Sequence, residues 1–187
     1  MSNIGKDDVA RNPLMGTSKG APDPRSPPDM AVISRVSISQ IVGLVEAIDE
    51  VGGQADIATI AQEVDMDLDR LGPVVDAAEF LGLLNVVDGD LRVNDLSRRV
   101  LTSRVKERKA IIRDIIEDVP VFRQVTTLVR AAGRPLERKE VLATLSTHVG
   151  GHHAEDFFKA LVYWGRYVEL VRYDSETEQV SLREPSP

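Results

Sequence analysis

The amino-acid sequence predicts a mainly α fold with small β-hairpins, built from two similar modules. Residues 67–93 and 152–182 support this prediction, because each has the pattern of an acid-bearing helix that runs directly into a short hairpin. Further helical patterns precede both segments, so the order helix, helix, hairpin is used twice. That order is typical of two winged-helix modules in tandem, joined by a connecting helix. A chain of 187 residues is long enough for two small domains with buried cores.

Composition and periodicity divide the chain into five regions. The first is rich in proline and poor in apolar residues, so we expect a disordered tail there. We place a Pro-rich tail at 1–33, module 1 at 34–95, basic connecting helices at 96–119, module 2 at 120–184 and a second tail at 185–187. No apolar run is long enough for a signal peptide or a membrane span, which favours a cytoplasmic protein without direct membrane insertion.

Local signals define the first two helices of module 1. Isoleucine and valine recur at helical spacing after Ser37, which is the expected N-cap of the first helix. The pair Gly52-Gly53 would end this helix by supplying positive φ. Asp56 would then cap a short second helix.

Two further signals shape the rest of module 1. Pro73 lies inside the third helical pattern, so we expect that helix to start late or to kink. The pair Asp88-Gly89 suits a two-residue type I′ turn, which predicts a hairpin over residues 84–93.

The connector and module 2 continue the helical pattern. Isoleucines at positions 111, 112, 115 and 116 form an apolar stripe, which would favour a dimer if it were exposed. Pro120 opens the next helix, and a double glycine precedes a last helix over about residues 152–167. Two strands, expected at 169–173 and 179–183, complete module 2 as a hairpin.

Three motifs resemble one known family. They are Asp49-Glu-Val-Gly-Gly-Gln-Ala-Asp56, Ala77-Ala-Glu-Phe-Leu-Gly82 and Trp164-Gly-Arg-Tyr-Val-Glu-Leu-Val-Arg-Tyr-Asp174. Over residues 34–183 the chain resembles the AAA-associated C-terminal domain, an appendage on ATP-binding subunits of nitrate/sulfonate/taurine-type ABC transporters. The resemblance implies tandem winged helices and a regulatory or protein-contact role beside an ATPase. The sequence has no Gly-x-x-x-x-Gly-Lys-Ser/Thr loop, so we expect it to work alone or with a separately encoded ATPase.

Charge is distributed unevenly between the modules. Residues 31–104 carry 6 bases and 13 acids, whereas residues 105–187 carry 13 of each. The expected recognition helix of module 1 holds one base, Arg70, against four acids: Asp67, Asp69, Asp76 and Glu79. Such a helix repels phosphate, and major-groove recognition normally needs Arg, Lys, Asn or Gln. The recognition helix of module 2 is nearly neutral, so DNA binding is disfavoured without being excluded.

A basic arc lies between the modules. It places six cations within twelve residues: Arg98, Arg99, Arg104, Lys106, Arg108 and Lys109. The arc fits a solvated helix surface with local ion pairs, a contact to a phosphate backbone, or a contact to an acidic protein surface. We keep all six residues as candidate partner contacts.

The segment Trp164-Gly165-Arg166-Tyr167 has a structural and a functional interpretation. In the first, Trp164 and Tyr167 anchor the last helix to its hairpin, while Gly165 permits close backbone approach. In the second, Arg166 and Tyr167 belong to a partner or ligand surface. Further expected structural anchors are Gly52, Gly53 and Tyr173.

The residue pattern gives no support to catalysis or metal binding. Cysteine is absent, which excludes disulfides, thiolate catalysis and cysteine-ligated metals. His148, His152 and His153 with Asp156 lack a further ligand for a tetrahedral set, so we expect capping and solvated histidines at a helix corner. No nucleophile motif is present. We expect neither enzyme activity nor a cofactor.

We therefore expect a non-enzymatic regulatory protein that acts through protein contacts. By resemblance its partner would be an ABC transporter ATPase, and self-association is the other option. The alternative is a winged-helix transcriptional regulator that binds DNA through module 2 and the basic arc. A third class, small-molecule sensing between the modules, would leave little trace in a sequence.

Overall fold

The computed structural model describes residues 30–183. It confirms a mainly α fold with small antiparallel sheets. No helix in this range has the length and apolarity needed to cross a bilayer. The elements are α1 (Met30–Ile33), α2 (Ile38–Glu50), β1 (Gln54–Asp56), α3 (Ile57–Glu63), α4 (Leu68–Phe80), β2 (Asn85–Val87), β3 (Asp90–Arg92), α5 (Asp95–Thr102), α6 (Val105–Asp118), α7 (Pro120–Ala132), β4 (Leu136–Glu137), α8 (Arg138–Val149), α9 (Gly151–Tyr167), β5 (Val171–Asp174) and β6 (Gln179–Leu182).

The same order of elements occurs in both modules. A helix is followed by a strand, two helices and a hairpin, first as α2, β1, α3, α4, β2 and β3, then as α7, β4, α8, α9, β5 and β6. In both sheets the last strand lies in the middle, which gives the orders β1-β3-β2 and β4-β6-β5. The register pairs Ala55 with Leu91 in the first sheet and Leu136 with Val180 in the second. The two modules therefore share one connectivity.

Each predicted hairpin gains a third strand that the sequence did not predict. β1 has 3 residues and β4 has 2, which is too short for an alternating pattern to be detected. The turn of the first hairpin agrees with the prediction, because Asp88 and Gly89 have φ values of 54° and 88°, as a type I′ turn requires.

The helix ends of module 1 follow the predicted signals. Ser37 forms a capping box with Gln40 at the start of α2. Asp56 accepts a 2.8 Å hydrogen bond from a backbone N–H at the start of α3. After α2, Gly52 and Gly53 both have positive φ. These capping bonds satisfy N–H groups that a helix start would otherwise leave unpaired.

Pro73 does not delay the third helix of module 1. α4 begins at Leu68 and continues past the proline, so the expected late start was wrong. The residue before the proline is Gly72, which has no Cβ to clash with the proline ring. The helical conformation is therefore tolerated at that point.

The N-terminal boundary also differs from the expectation. Residues 30–33, which the sequence placed in the disordered tail, form α1 and pack against α4 and α9. Met30 and Ile33 are buried in the hydrophobic core, which continues through both modules and the connector. The burial of these two side chains offsets the loss of conformational entropy when residues 30–33 become ordered. The rest of the predicted N-terminal tail, and the C-terminal tail, lie outside the described residues.

The isoleucine stripe of α6 is covered within the chain. Ile112 and Ile116 are fully buried, and Ile111 and Ile115 pack against the core. α6 contacts α5, α7 and α9, which provide this cover. The exposed stripe that would have favoured a dimer does not exist on α6.

Candidate interaction surfaces

Trp164 lies at the contact between the two modules. Its side chain is fully buried, and its ring centroid lies 6.2 Å from the rings of Phe80 in α4 and of Phe122 in α7. Its Nε1–H donates a 2.8 Å hydrogen bond to the backbone carbonyl of Val36, between α1 and α2. One side chain thus contacts both modules and the N-terminal segment.

The neighbours of Trp164 hold α9 against its hairpin. A Cβ at Gly165 would stand 2.6 Å from Cγ2 of Val171, so a larger residue would push the helix away from β5. Tyr173 packs edge-on against Phe158, with ring centroids 5.4 Å apart. These contacts pack β5 against α9.

The double glycine after α2 serves two different needs. Gly52 has a φ of 109°, which side chains rarely tolerate. A Cβ at Gly53 would stand 3.1 Å from both Arg98 and Val93, and the Gly53 carbonyl accepts a hydrogen bond from the backbone N–H of Val93. The corner therefore brings the end of α2 against the chain that leads into α5.

Three cations of the basic arc, Arg98, Arg108 and Lys109, form contacts within the protein. Arg98 lies 3.8 Å from the carboxylate of Asp49. Arg108 donates hydrogen bonds to two backbone carbonyls at the end of α5. Lys109 donates a 2.7 Å hydrogen bond to Glu169 and lies 5.9 Å from the ring centroid of the half-buried Tyr167. These cations join α5 and α6 to neighbouring elements.

Other predicted contact residues remain accessible. Within residues 30–183 the side chains of Arg99, Arg104 and Arg166 are exposed and form no hydrogen bond or ion pair. Lys106 is exposed as well. Arg99 lies on α5 and Arg104 is the N-cap residue of α6, whereas Arg166 lies on α9, so the structure does not bring all the candidates onto one element.

The acids of α4 point away from the core. Four carboxylates at or after its N-cap are exposed: Asp67, Asp69, Asp76 and Glu79. Partial burial, with the neighbouring charge of Glu79 as the second cause, raises the pKa of Asp76 above its ordinary range. This face therefore carries several negative charges, and those of Asp76 and Glu79 repel each other.

α4 and α9 are equivalent helices. Each ends at a buried capping residue, followed by a residue with positive φ: Gly82 at 68° and Glu169 at 59°. When these two are aligned, four buried positions of the helices coincide. Leu71, Val74, Ala77 and Ala78 then match Phe158, Leu161, Trp164 and Gly165.

The same alignment matches exposed positions of different charge. Asp76 and Glu79 correspond to Tyr163 and Arg166. We use the name acid stripe for Asp69, Asp76 and Glu79, and the name basic stripe for Lys159, Tyr163 and Arg166. This correspondence is not evident from the sequence, because only two of the equivalent helical positions are identical, Asp69 with Asp156 and Val75 with Val162. The burial of four positions and the backbone conformation at the helix ends align the rest.

The histidines lie at the corner between α8 and α9. Nδ1 of His148 is 2.8 Å from the carbonyl oxygen of Thr144, and the rings of His152 and His153 are 4.0 Å apart. The described part of the chain contains no group of three side chains that could hold a metal ion.

A comparison with protein-family models gives a match to this chain. The family model described as the C-terminal AAA-associated domain matches residues 58–174, from α3 to the end of β5. Both stripes and the Trp164 contact lie inside the matched region. The chain has no match among curated proteins or among solved structures.

Proposed function

The chain belongs to the C-terminal AAA-associated domain family, and from this premise we propose that it is a non-enzymatic regulatory module that acts through protein contacts. Its proposed partner is an ATP-binding subunit of an ABC transporter, of the nitrate/sulfonate/taurine type that the resemblance implies. The proposal treats both modules as winged helices and places the protein in the cytoplasm.

The exposed carboxylates of α4 are the observation that carries the proposal. In helix-turn-helix proteins that bind DNA, the equivalent helix enters the major groove. Duplex DNA carries one negative charge per about 1.7 Å of its axis, so it is repelled by Asp69, Asp76 and Glu79. The charge of α4 therefore disfavours duplex DNA as its partner and supports a role in protein contacts.

We propose that Arg99 and Arg104 contact the ATP-binding subunit. Both are exposed and have no ion pair within the described residues, whereas Arg98, Arg108 and Lys109 are engaged internally. A free guanidinium can form a bidentate contact with a carboxylate. The complementary partner surface is therefore acidic.

Titration with a purified ATP-binding subunit from the same organism tests this function. Calorimetry should show binding, and the rate of ATP hydrolysis should change when the chain is added. Combining Arg99→Glu with Arg104→Glu should weaken binding about 10-fold or more, because two attractive contacts become repulsive. The matched control, Lys159→Glu with Arg166→Glu, makes the same charge change and should leave binding unaltered. No binding, or equal loss in both variants, contradicts the proposal.

One observation favours a second function, DNA binding by module 2. Lys159 and Arg166 lie on the exposed face of α9, which is the recognition helix if module 2 is a winged helix. A regulator of this kind should retain duplex DNA at low ionic strength and lose it steeply as salt is added. No retention at low ionic strength removes this alternative.

A further inference from the structure

The equivalent helices α4 and α9 carry exposed stripes of opposite charge. We propose that the basic stripe of one copy binds the acid stripe of a second copy, so that the protein associates head to tail. The inference does not depend on the ATPase contact, which uses other residues.

The charges of the two stripes have the same spacing. Lys159 and Arg166 are seven positions apart, and so are Asp69 and Asp76. Seven positions correspond to about 10 Å along a helix, close to two turns, so each pair lies on one side of its helix. Two facing helices can therefore form both ion pairs at the same time.

The centres of the stripes are also complementary. Tyr163 lies between the two cations and is 49% exposed. Gly72 and Pro73 lie between the two acids, and a Cβ at Gly72 would meet nothing within 4 Å. The ring of Tyr163 can thus pack against the opposite helix at Gly72, where no side chain projects. Aromatic side chains are frequent at the centres of protein interfaces.

The charged groups are available for an external partner. Arg166 has no ion pair within the described residues. Lys159 has a 3.3 Å contact with Asp156, but its side chain is 56% exposed, so this pair is weak and exchangeable. An incoming cation would also relieve the repulsion between Asp76 and Glu79, which adds to partial burial in raising the pKa of Asp76.

The contact has a consequence for the size of the assembly. The two stripes are different surfaces on different modules, so each copy keeps one unused stripe after the first contact. Such a heterologous contact does not close between two copies by itself. Association should therefore extend as the concentration rises.

Sedimentation of the full chain over a concentration series tests the proposal. The unaltered protein should exceed the single-chain mass of 20.6 kDa as concentration rises. Lys159→Glu with Arg166→Glu, and separately Asp69→Lys with Asp76→Lys, should each weaken association about 30-fold or more, because two attractive pairs become repulsive. An equimolar mixture of these two variants should associate again, because the acid stripe of the first meets the basic stripe of the second.

Matched controls separate the stripes from net charge. Glu46→Lys with Glu50→Lys, and Arg99→Glu with Arg104→Glu, make the same charge changes at exposed positions elsewhere. Both controls should associate as the unaltered protein does, and circular dichroism should show that every variant folds.

Three results overturn the proposal. The first is that the unaltered protein stays at the single-chain mass up to its highest soluble concentration. The second is that the two stripe variants each associate as well as the unaltered protein does. The third is that the mixture of these variants stays at the single-chain mass. If the unaltered protein is a single chain and the basic-stripe variant loses only duplex binding, the stripe binds DNA and not a second copy.

Discussion

Modules 1 and 2 share their connectivity but differ in what the third helix does. On the buried side of α4 stand Ala77 and Ala78, where α9 has Trp164 and Gly165. On the exposed side Glu79 of α4 stands where α9 has Arg166. The common burial pattern fixes the fold, whereas the exposed positions are free to differ. Two helices with the same place in the fold thus provide the Trp164 contact between the modules and two surfaces of opposite charge.

The carboxylates of the modules differ in the same way. In module 2, hydrogen bonds from Arg134 and the backbone of Glu137 lower the pKa of Glu140 to about 2. A hydrogen bond from Lys109 likewise lowers the pKa of Glu169. In module 1, burial and Glu79 raise the pKa of Asp76. Module 2 therefore uses these acids to hold its structure, while α4 presents its acids to the surroundings.

Removal of the Trp164 ring, which distinguishes α9 from α4, should cause the largest loss of stability. Trp164→Ala makes the position resemble Ala77 of module 1 and should lower the free energy of unfolding by about 3–5 kcal/mol. The loss includes the packing against Phe80 and Phe122 and the hydrogen bond to Val36. Urea unfolding measures the change. A loss below about 1 kcal/mol would show that this ring does not hold the modules together.

A glycine exchange should have the next largest effect. Gly165→Ala makes the position match Ala78, yet the new Cβ would meet Val171 at 2.6 Å, so we expect a loss of about 1–3 kcal/mol. Gly43→Ala in α2 is the control, because its Cβ would meet nothing within 4 Å. That change should stabilise the protein by about 0.5–1 kcal/mol. Thermal unfolding of both variants measures whether each change raises or lowers stability. A change in the same direction for both would contradict the close approach of Gly165 to Val171.

Acidification should destabilise module 2 before module 1. The stabilisation from Glu140 is present above its ordinary pKa of 4.5 and is lost as pH falls towards its folded pKa of about 2. The raised pKa of Asp76 acts in the opposite direction, because its protonated form is the one that the fold favours. Hydrogen exchange followed by NMR should show protection lost first in module 2. Glu140→Gln should reduce this pH dependence, and earlier loss in module 1 would contradict the contrast.

Neutralising one acid of α4 should have the smallest effect. Asp76→Asn removes a partly buried charge and its repulsion with Glu79, so the free energy of unfolding at neutral pH should rise by up to about 0.5 kcal/mol, the scale of a solvent-screened effect. The gain should shrink as pH falls, because Asp76 then becomes protonated in the native protein. A clear loss of stability in chemical unfolding would show that the carboxylate has a structural partner.

The features of the fold that depend on neighbouring residues could be predicted from the sequence. Ser37, Asp56 and the Asp88-Gly89 turn act over a few residues, so their roles follow from residue type and neighbours. The helical faces of the core follow from periodicity for the same reason. β1 and β4 were missed because strands of 3 and 2 residues show no period.

The candidate surfaces were harder to predict because their partners are distant along the chain. Lys109 finds Glu169 across 60 positions, and Trp164 finds Val36 across 128. No local signal distinguishes Arg108, which binds backbone carbonyls, from Arg104, which is exposed. The division of the basic arc into engaged and accessible cations therefore required the tertiary structure.

The most direct test of the opposite-charge relation is an exchange of both stripes in one chain. A variant with Asp69→Lys, Asp76→Lys, Lys159→Glu and Arg166→Glu keeps the net charge of −7 and restores opposite stripes with their signs reversed. We predict that sedimentation shows association that grows with concentration, as in the unaltered protein, although either half of the exchange alone weakens association about 30-fold or more. A mass that stays at 20.6 kDa, under conditions in which the unaltered protein associates, would contradict the account.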